Sequence, residues 1–272
     1  MKLKTLLLAV VALVGALLVT TLPAPATSPE ADAPAVAVAA AAPARPASPV
    51  VKTARTARVE PAVAPASAPA PFAVPGLRSE VLDLAISAAS CAQSRGVVRR
   101  PDVLTVIDYS LPSTEKRMWV LDLASREVLF HELVSHGKAS GSLRTTSFSN
   151  VSMSLMSNLG LMTTAETYYG KNGYSLRMDG HEPGYNDLAR ERAIVIHGAP
   201  YVSPDFVRQT GRLGRSWGCP AVEQRVARDL IDTIQGGSVV FGYYPDERWL
   251  GSSRLLSCGD AAGAGTVVAA AP

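Results

Sequence analysis

Hydrophobic and polar positions along the chain change period from segment to segment. Across residues 78–95, Val81, Leu82, Ala85, Ile86 and Ala89 recur at helical spacing, which predicts a helix with one buried stripe. Residues 103–109, 118–123 and 127–135 read as strands, with Ala124, Ser125 and Arg126 as the turn between the last two. The spacing over residues 118–135 suits a hairpin, so this region reads as a meander that opens a β-rich sandwich or barrel. Residues 137–192 are rich in Gly, Ser, Thr and Asn with only short apolar pieces, the texture of loops that shape a cleft. Ala193, Ile194, Val195 and Ile196 then predict a buried strand ending where His197 begins. From about Ala221, Val222, Val226, Leu230 and Ile231 face one way as a helix, and residues 239–244 predict a closing strand.

The remainder of the 272 residues has a different texture. Lys2 and Lys4 precede an apolar run over residues 6–19, and Pro23, Ala24, Pro25 and Ala26 supply small residues suited to cleavage. The run is short for a membrane-spanning helix, so residues 1–26 are expected to be a secretory signal; an uncleaved anchor is the alternative, and membrane contact is expected only in that case. Residues 27–75 are nearly all Ala, Pro, Val, Ser and Thr, with too little large apolar surface to offset ordering entropy. They read as a disordered linker, residues 76–259 as one catalytic domain, and residues 260–272 as a loose tail.

The candidate chemistry lies in Arg215-Ser216-Trp217-Gly218-Cys219-Pro220 and in Ile196-His197-Gly198. A thiol is a strong nucleophile as thiolate, and a nearby histidine is the usual base that generates it. Set against this, a lone Cys is commonly a small buried hydrophobe and a lone His a satisfied structural residue. A glycine-containing turn just before a helix would add backbone N–H groups and the positive end of the helix dipole, both of which favour thiolate and an oxyanion. No zinc-type Cys/His spacing and no Walker or Rossmann glycine loop occurs; His131, His136 and His181 are scattered, although His136-Gly137 repeats the His-Gly dipeptide. Neither a metal nor another cofactor is expected. A net charge of +3 is too small and diffuse for a nucleic-acid binder.

The Cys box and the His-Gly pair resemble the catalytic core of the murein L,D-transpeptidases, the YkuD-type enzymes, with His197-Gly198 followed 22 positions later by Cys219 in Ser216-x-Gly218-Cys219. Ser157-Asn158-Leu159-Gly160, the stretch over residues 169–177, and Gly184-Tyr185-Asn186 resemble a YkuD-like bacterial subfamily. The resemblance covers roughly residues 103–244 and implies a mainly β domain with flanking helices (α+β), a β-sandwich or barrel. Well-known members carry an arginine two places after the cysteine, where this chain has Pro220-Ala221, and often a polar residue where it has Trp217. Arg215, Arg212 and Lys171 are candidate substitutes for binding a stem-peptide carboxylate, and Tyr169 and Tyr174 candidates to line the cleft.

The resemblance implies acyl transfer on peptidoglycan stem peptides, either L,D-transpeptidation or L,D-carboxypeptidation. Cys219 would form the thioester, His197 act as base, the Gly218 and Cys219 N–H groups hold the oxyanion, and the Ser216 carbonyl orient His197. A hydroxyl cap on the following helix is the competing role for Ser216. A non-catalytic wall-binding protein with the same fold, or another thiol acyltransferase or peptidase, are the alternative readings. With Cys219 as nucleophile, Cys91 and Cys258 remain to pair in an oxidising compartment; a bridge from Cys219 to either would abolish the nucleophile. The expected location is periplasmic or cell-wall associated. N-terminal sequencing of the exported form is expected to begin near Thr27, whereas an intact Met1 on a membrane-bound product would establish the anchored form.

Overall fold

The computed structural model describes residues 72–258. The expected signal, most of the linker and the tail lie outside them. Helix α1 (Ser79–Ser94) leads into a meander of β1 (Arg100–Asp108), β2 (Met118–Asp122) and β3 (Glu127–Glu132). Strands β4 (Gly160–Gly170), β5 (Gly173–Gly180) and β6 (Val195–Ala199) follow, then α2 (Pro204–Thr210), β7 (Ala221–Glu223), α3 (Gln224–Ile234), β8 (Ser238–Tyr243) and α4 (Glu247–Ser252). The eight strands form one sheet in the order β3-β2-β1-β8-β4-β5-β6-β7. Pairing is antiparallel except for β1 with β8 and β6 with β7. The sheet curls until its ends meet: Val134, just past β3, bridges Val222 in β7, and Ser135 N–H donates to the Ala221 carbonyl at 2.9 Å. The result is a mainly β, nearly closed barrel with a few helices, as the sequence predicts.

Two apolar cores lie on opposite faces of the central strands. Leu104 and Val106 of β1, Val239, Phe241 and Tyr243 of β8, and Trp119 and Leu121 of β2 pack under α1 and against Trp249 of α4. The alternate residues Val103, Ile107, Val120 and Val240 turn inward to meet Met162, Leu176, Met178 and Ile196, together with Leu230, Ile231 and Ile234 of α3. Burial on both faces accounts for the apolar run of β8 and for the continuous burial of β1 from Val103 onward, Thr105 and Asp108 included.

Several expectations are corrected. Residues 137–192 are not all loop: they contain β4 and β5, joined by Lys171 and Asn172 between the paired Gly170 and Gly173. β4 is Thr-rich, which suits a pleated sheet without an apolar alternation, whereas Tyr174, Leu176 and Met178 of β5 do alternate with polar residues. The strand at His197 does not end there but runs through it to Ala199. Residues 221–223 are strand β7, and α3 starts only at Gln224. Finally, β8 does not close the sheet; it lies in the middle, between β1 and β4.

Cys91 near the end of α1 is joined by a disulfide to Cys258, with Cα atoms 5.8 Å apart, and Cys219 is the free cysteine. The bridge closes a loop of 167 residues, so it removes a large part of the unfolded chain's freedom. Replacing both Cys91 and Cys258 by Ala is expected to lower unfolding free energy by about 3–5 kcal/mol, read from the denaturant midpoint. A midpoint equal to that of the parent protein would show that the bridge adds no stability.

Candidate active site

Cys219 ends a turn between α2 and β7 whose backbone is fastened from several sides. The Ser216 hydroxyl donates to the Cys219 carbonyl at 2.6 Å and accepts Gly218 N–H at 3.0 Å, closing the turn on itself. Gly218 has φ 125°, and a Cβ there would lie 2.8 Å from the Met156 carbonyl oxygen, so only glycine fits. Its carbonyl accepts the Ser157 hydroxyl at 3.2 Å, and that same hydroxyl accepts Gly137 N–H. Ser216 N–H donates to the His136 carbonyl, and Lys138 N–H donates to the Ser216 carbonyl at 2.8 Å. The second His-Gly dipeptide is thus the backing strip of the Cys219 turn. The His136 ring is fully buried and takes a contact from the Arg117 guanidinium on Nδ1 at 2.8 Å; burial, then the Arg117 charge, push its pKa down to about 4.

His197 lies at the centre of β6, paired on one side with Ser175 and on the other with Ala221. A Cβ at Gly198 would come within 2.9 Å of the Ala227 methyl, so the glycine lets α3 pack against the strand that carries the imidazole. The ring is 4% exposed, and its Nδ1 sits 3.0 Å from the Gly198 carbonyl. That carbonyl can only accept, which puts the proton on Nδ1 and leaves Nε2 with a lone pair. Burial lowers the His197 pKa, against the opposing pull of the Gly198 carbonyl.

His197 and Cys219 both line a cleft of about 380 Å³, together with Lys171, Arg192, Tyr201, Arg215 and Trp217. The thiol donates to the Ala193 carbonyl at 3.6 Å and has no hydrogen bond to His197 among the described residues. Burial pushes the Cys219 pKa up, opposed by Val195 N–H, the Arg192 charge and its own N–H. The expected helix dipole is missing from this balance, because β7 intervenes between Cys219 and α3. Pro220 accordingly precedes a strand rather than opening a helix.

Arg192 carries no motif that would single it out, yet it ties the site together. Its Nη1 donates to the Ser149 carbonyl and to Asn158 Oδ1, and its Nη2 to the Met156 carbonyl and the Ser154 hydroxyl, at 2.6–3.2 Å. It thereby fixes the segment against which Gly218 packs and sets a positive charge toward the thiol.

The other expected site residues divide. Lys171 is at the cleft from the tip of the β4–β5 hairpin. Arg215 is there too, but its Nη1 donates to the Lys138 and Gly141 carbonyls. Arg212 is absent from the lining and donates to the Leu213 carbonyl. Tyr169 and Tyr174 do not line the cleft: their rings pack at a tilt against each other across the hairpin, and their hydroxyls meet Arg228 and Asp232 of α3. The Ser216 carbonyl is taken by Lys138 N–H rather than by His197, and its hydroxyl caps no helix. The Gly218 N–H is already donated to Ser216 Oγ.

Replacing Arg192 by Met is expected to slow alkylation of Cys219 by iodoacetamide between pH 7 and 9, because loss of a nearby cation leaves the thiolate less stable. An unchanged rate–pH curve would remove Arg192 from the electrostatics of the thiol.

Residues 74–243, more than half of the chain, match the family profile of the L,D-transpeptidase catalytic domain. Among curated proteins no match is found. Solved structures similar to this chain include an L,D-transpeptidase from Mycobacterium smegmatis, at 16% identity and TM-score 0.33, covering 53% of this chain and 59% of that one. A second is the helical cell shape determining protein Pgp2 from Campylobacter jejuni, at 12% identity and TM-score 0.35, covering 60% of this chain and 56% of that one. This chain therefore spans less than three fifths of the length of either. The profile match, over the same residues that build the barrel and its cleft, establishes that the chain belongs to the L,D-transpeptidase catalytic domain family.

Proposed function

We propose that the chain is an exported, cysteine-dependent acyltransferase acting on peptidoglycan stem peptides, with Cys219 as the nucleophile. The observation that carries this reading is the cleft itself: a free thiol and a buried imidazole open onto one space in a domain of this family. The opposed pKa directions describe the resting pair. A raised thiol value and a lowered imidazole value keep Cys219 protonated and His197 neutral near pH 7. The pair then reacts by proton transfer at the moment of attack rather than as a pre-formed ion pair.

In this scheme the thiol turns from the Ala193 carbonyl to His197 Nε2 and gives up its proton. The sulfur adds to the carbonyl carbon of an L-to-D link in a tetrapeptide donor. The oxyanion is met by Cys219 N–H, while Gly218 N–H keeps the turn closed through Ser216. The imidazolium returns its proton to the departing amine of the terminal D-residue, leaving a thioester on Cys219. An amine of a neighbouring stem, or water, attacks that thioester as it yields a proton to His197; the C–S bond breaks and the imidazolium returns the proton to the Cys219 sulfur, giving a crosslink or a trimmed stem and the free thiol. His136 is excluded as the base by its position, since it is fully buried and does not line the cleft.

With tetrapeptide muropeptides, Cys219→Ser is expected to abolish turnover, and His197→Ala to lose on the order of 10²-fold or more in rate while remaining folded. A carbapenem is expected to add its mass to the parent protein and not to Cys219→Ser. Turnover that survives Cys219→Ser places the chemistry elsewhere, and absence of turnover in the parent protein favours a wall-binding role without catalysis.

The acid limb of kcat/KM carries a further test. His197 loses its basic lone pair on protonation, and burial lowers its pKa, so activity is expected to persist below the ordinary histidine value of about 6.5 before falling. A midpoint above that value would contradict the buried, neutral imidazole.

A further inference from the structure

Trp217 is 66% exposed although its neighbours Ser216 and Gly218 are buried. Two ammonium groups sit over this one indole, that of Lys138 at 5.7 Å and that of Lys171 at 5.8 Å from the ring centroid. They arrive from separate elements, Lys138 from the strip behind the Cys219 turn and Lys171 from the tip of the β4–β5 hairpin. Among the described residues neither ammonium has a carboxylate or hydrogen-bond partner, and a cation–π contact with an exposed ring is a weak substitute for one. Lys171 and Trp217 line the Cys219 cleft with Arg192 and Arg215, and among the described residues no acidic side chain does; Lys138 reaches it only through its contact with the Trp217 ring. Of these cations, Arg192 has both terminal nitrogens committed to protein acceptors, and Arg215 donates from Nη1 to two carbonyls. Among the described residues the two lysine ammonium groups have no acceptor at all, whereas Arg215 keeps only Nη2 and Nε free.

From this we infer that Lys138, Trp217 and Lys171 form a carboxylate-binding subsite for the acyl donor. The two ammonium groups take a free carboxylate of the stem peptide close to the scissile link, and the indole covers the adjacent apolar part of the peptide. Trp217 stands two residues before Cys219, so the subsite is within about one or two peptide units of the thiol. An arriving carboxylate gains charge-assisted hydrogen bonds from ammonium groups that otherwise have none. The subsite rests on the acyl-transfer reading above.

The test separates binding from turnover. Calorimetry on the Cys219→Ser form would compare a tetrapeptide stem with free carboxylates against the same peptide with every carboxylate amidated. The expected result is tighter binding of the free acid, a preference that falls roughly ten-fold in Lys138→Gln/Lys171→Gln, the scale of two part-exposed charge-assisted contacts. Affinity for the amidated peptide is expected to stay the same in that double variant and to fall in Trp217→Leu. The free-acid preference should also shrink as salt is raised. Equal affinity for the two peptides in the parent background, or a preference unchanged by the double substitution, overturns the subsite. Because the measurement needs no turnover, a parent protein that binds free acid selectively yet does not react would fail the acyl-transfer reading and leave the subsite standing.

Discussion

The structure depends on how the short turn ending at Cys219 is held, since residues 214–219 belong to no strand or helix and must satisfy their backbone groups elsewhere. They do so through a stitched contact in which the Ser157 hydroxyl joins Gly137 to Gly218 and the Ser216 backbone hydrogen-bonds to both sides of Gly137. The close approach of Gly218 to Met156 makes this contact possible, and Arg192 holds Met156 in place. The loop before β4, the strip after β3 and the Cys219 turn are therefore one unit. A change in any of them moves the thiol.

How far the sequence could be read depended on range. Helix α1 and the β1–β3 meander were legible because their patterns are local and repeat over several residues. The β4–β5 hairpin was obscured by Thr163, Thr164, Glu166 and Thr167, although Asn172-Gly173 is a recognised hairpin signal. Ala221, Val222 and Glu223 suit the start of a helix as well as a strand; pairing with His197, Gly198 and Ala199 decides the matter. That pairing cannot be read from three residues. The central place of β8 is likewise a long-range property.

At the site, His197, Cys219, Lys171 and Arg215 were legible as candidates and do meet in one cleft, because a motif preserves local chemistry. Arg192 was not, since its role consists of acceptors contributed by residues 149–158, more than thirty positions away. Tyr169 and Tyr174 were misplaced for a related reason. Which side of a hairpin faces a cleft is set by its register with neighbouring strands and by α3. The Ser216 hydroxyl also serves its own turn instead of a helix, once the helix is found to begin at Gln224.

The place of β8 has a consequence for assembly. Until Ser238–Tyr243 are available, β1 and β4 have no strand between them, and the meander and the β4–β7 half each retain an unpaired edge. Native pairing of β1 with β8 joins residues more than 130 positions apart, so loop-closure entropy must be overcome before those contacts form. The domain therefore belongs with slow, non-local folders. The segment carrying Cys219 is made before β8, but the barrel that supports it is completed only afterwards, which ties presentation of the thiol to a finished chain.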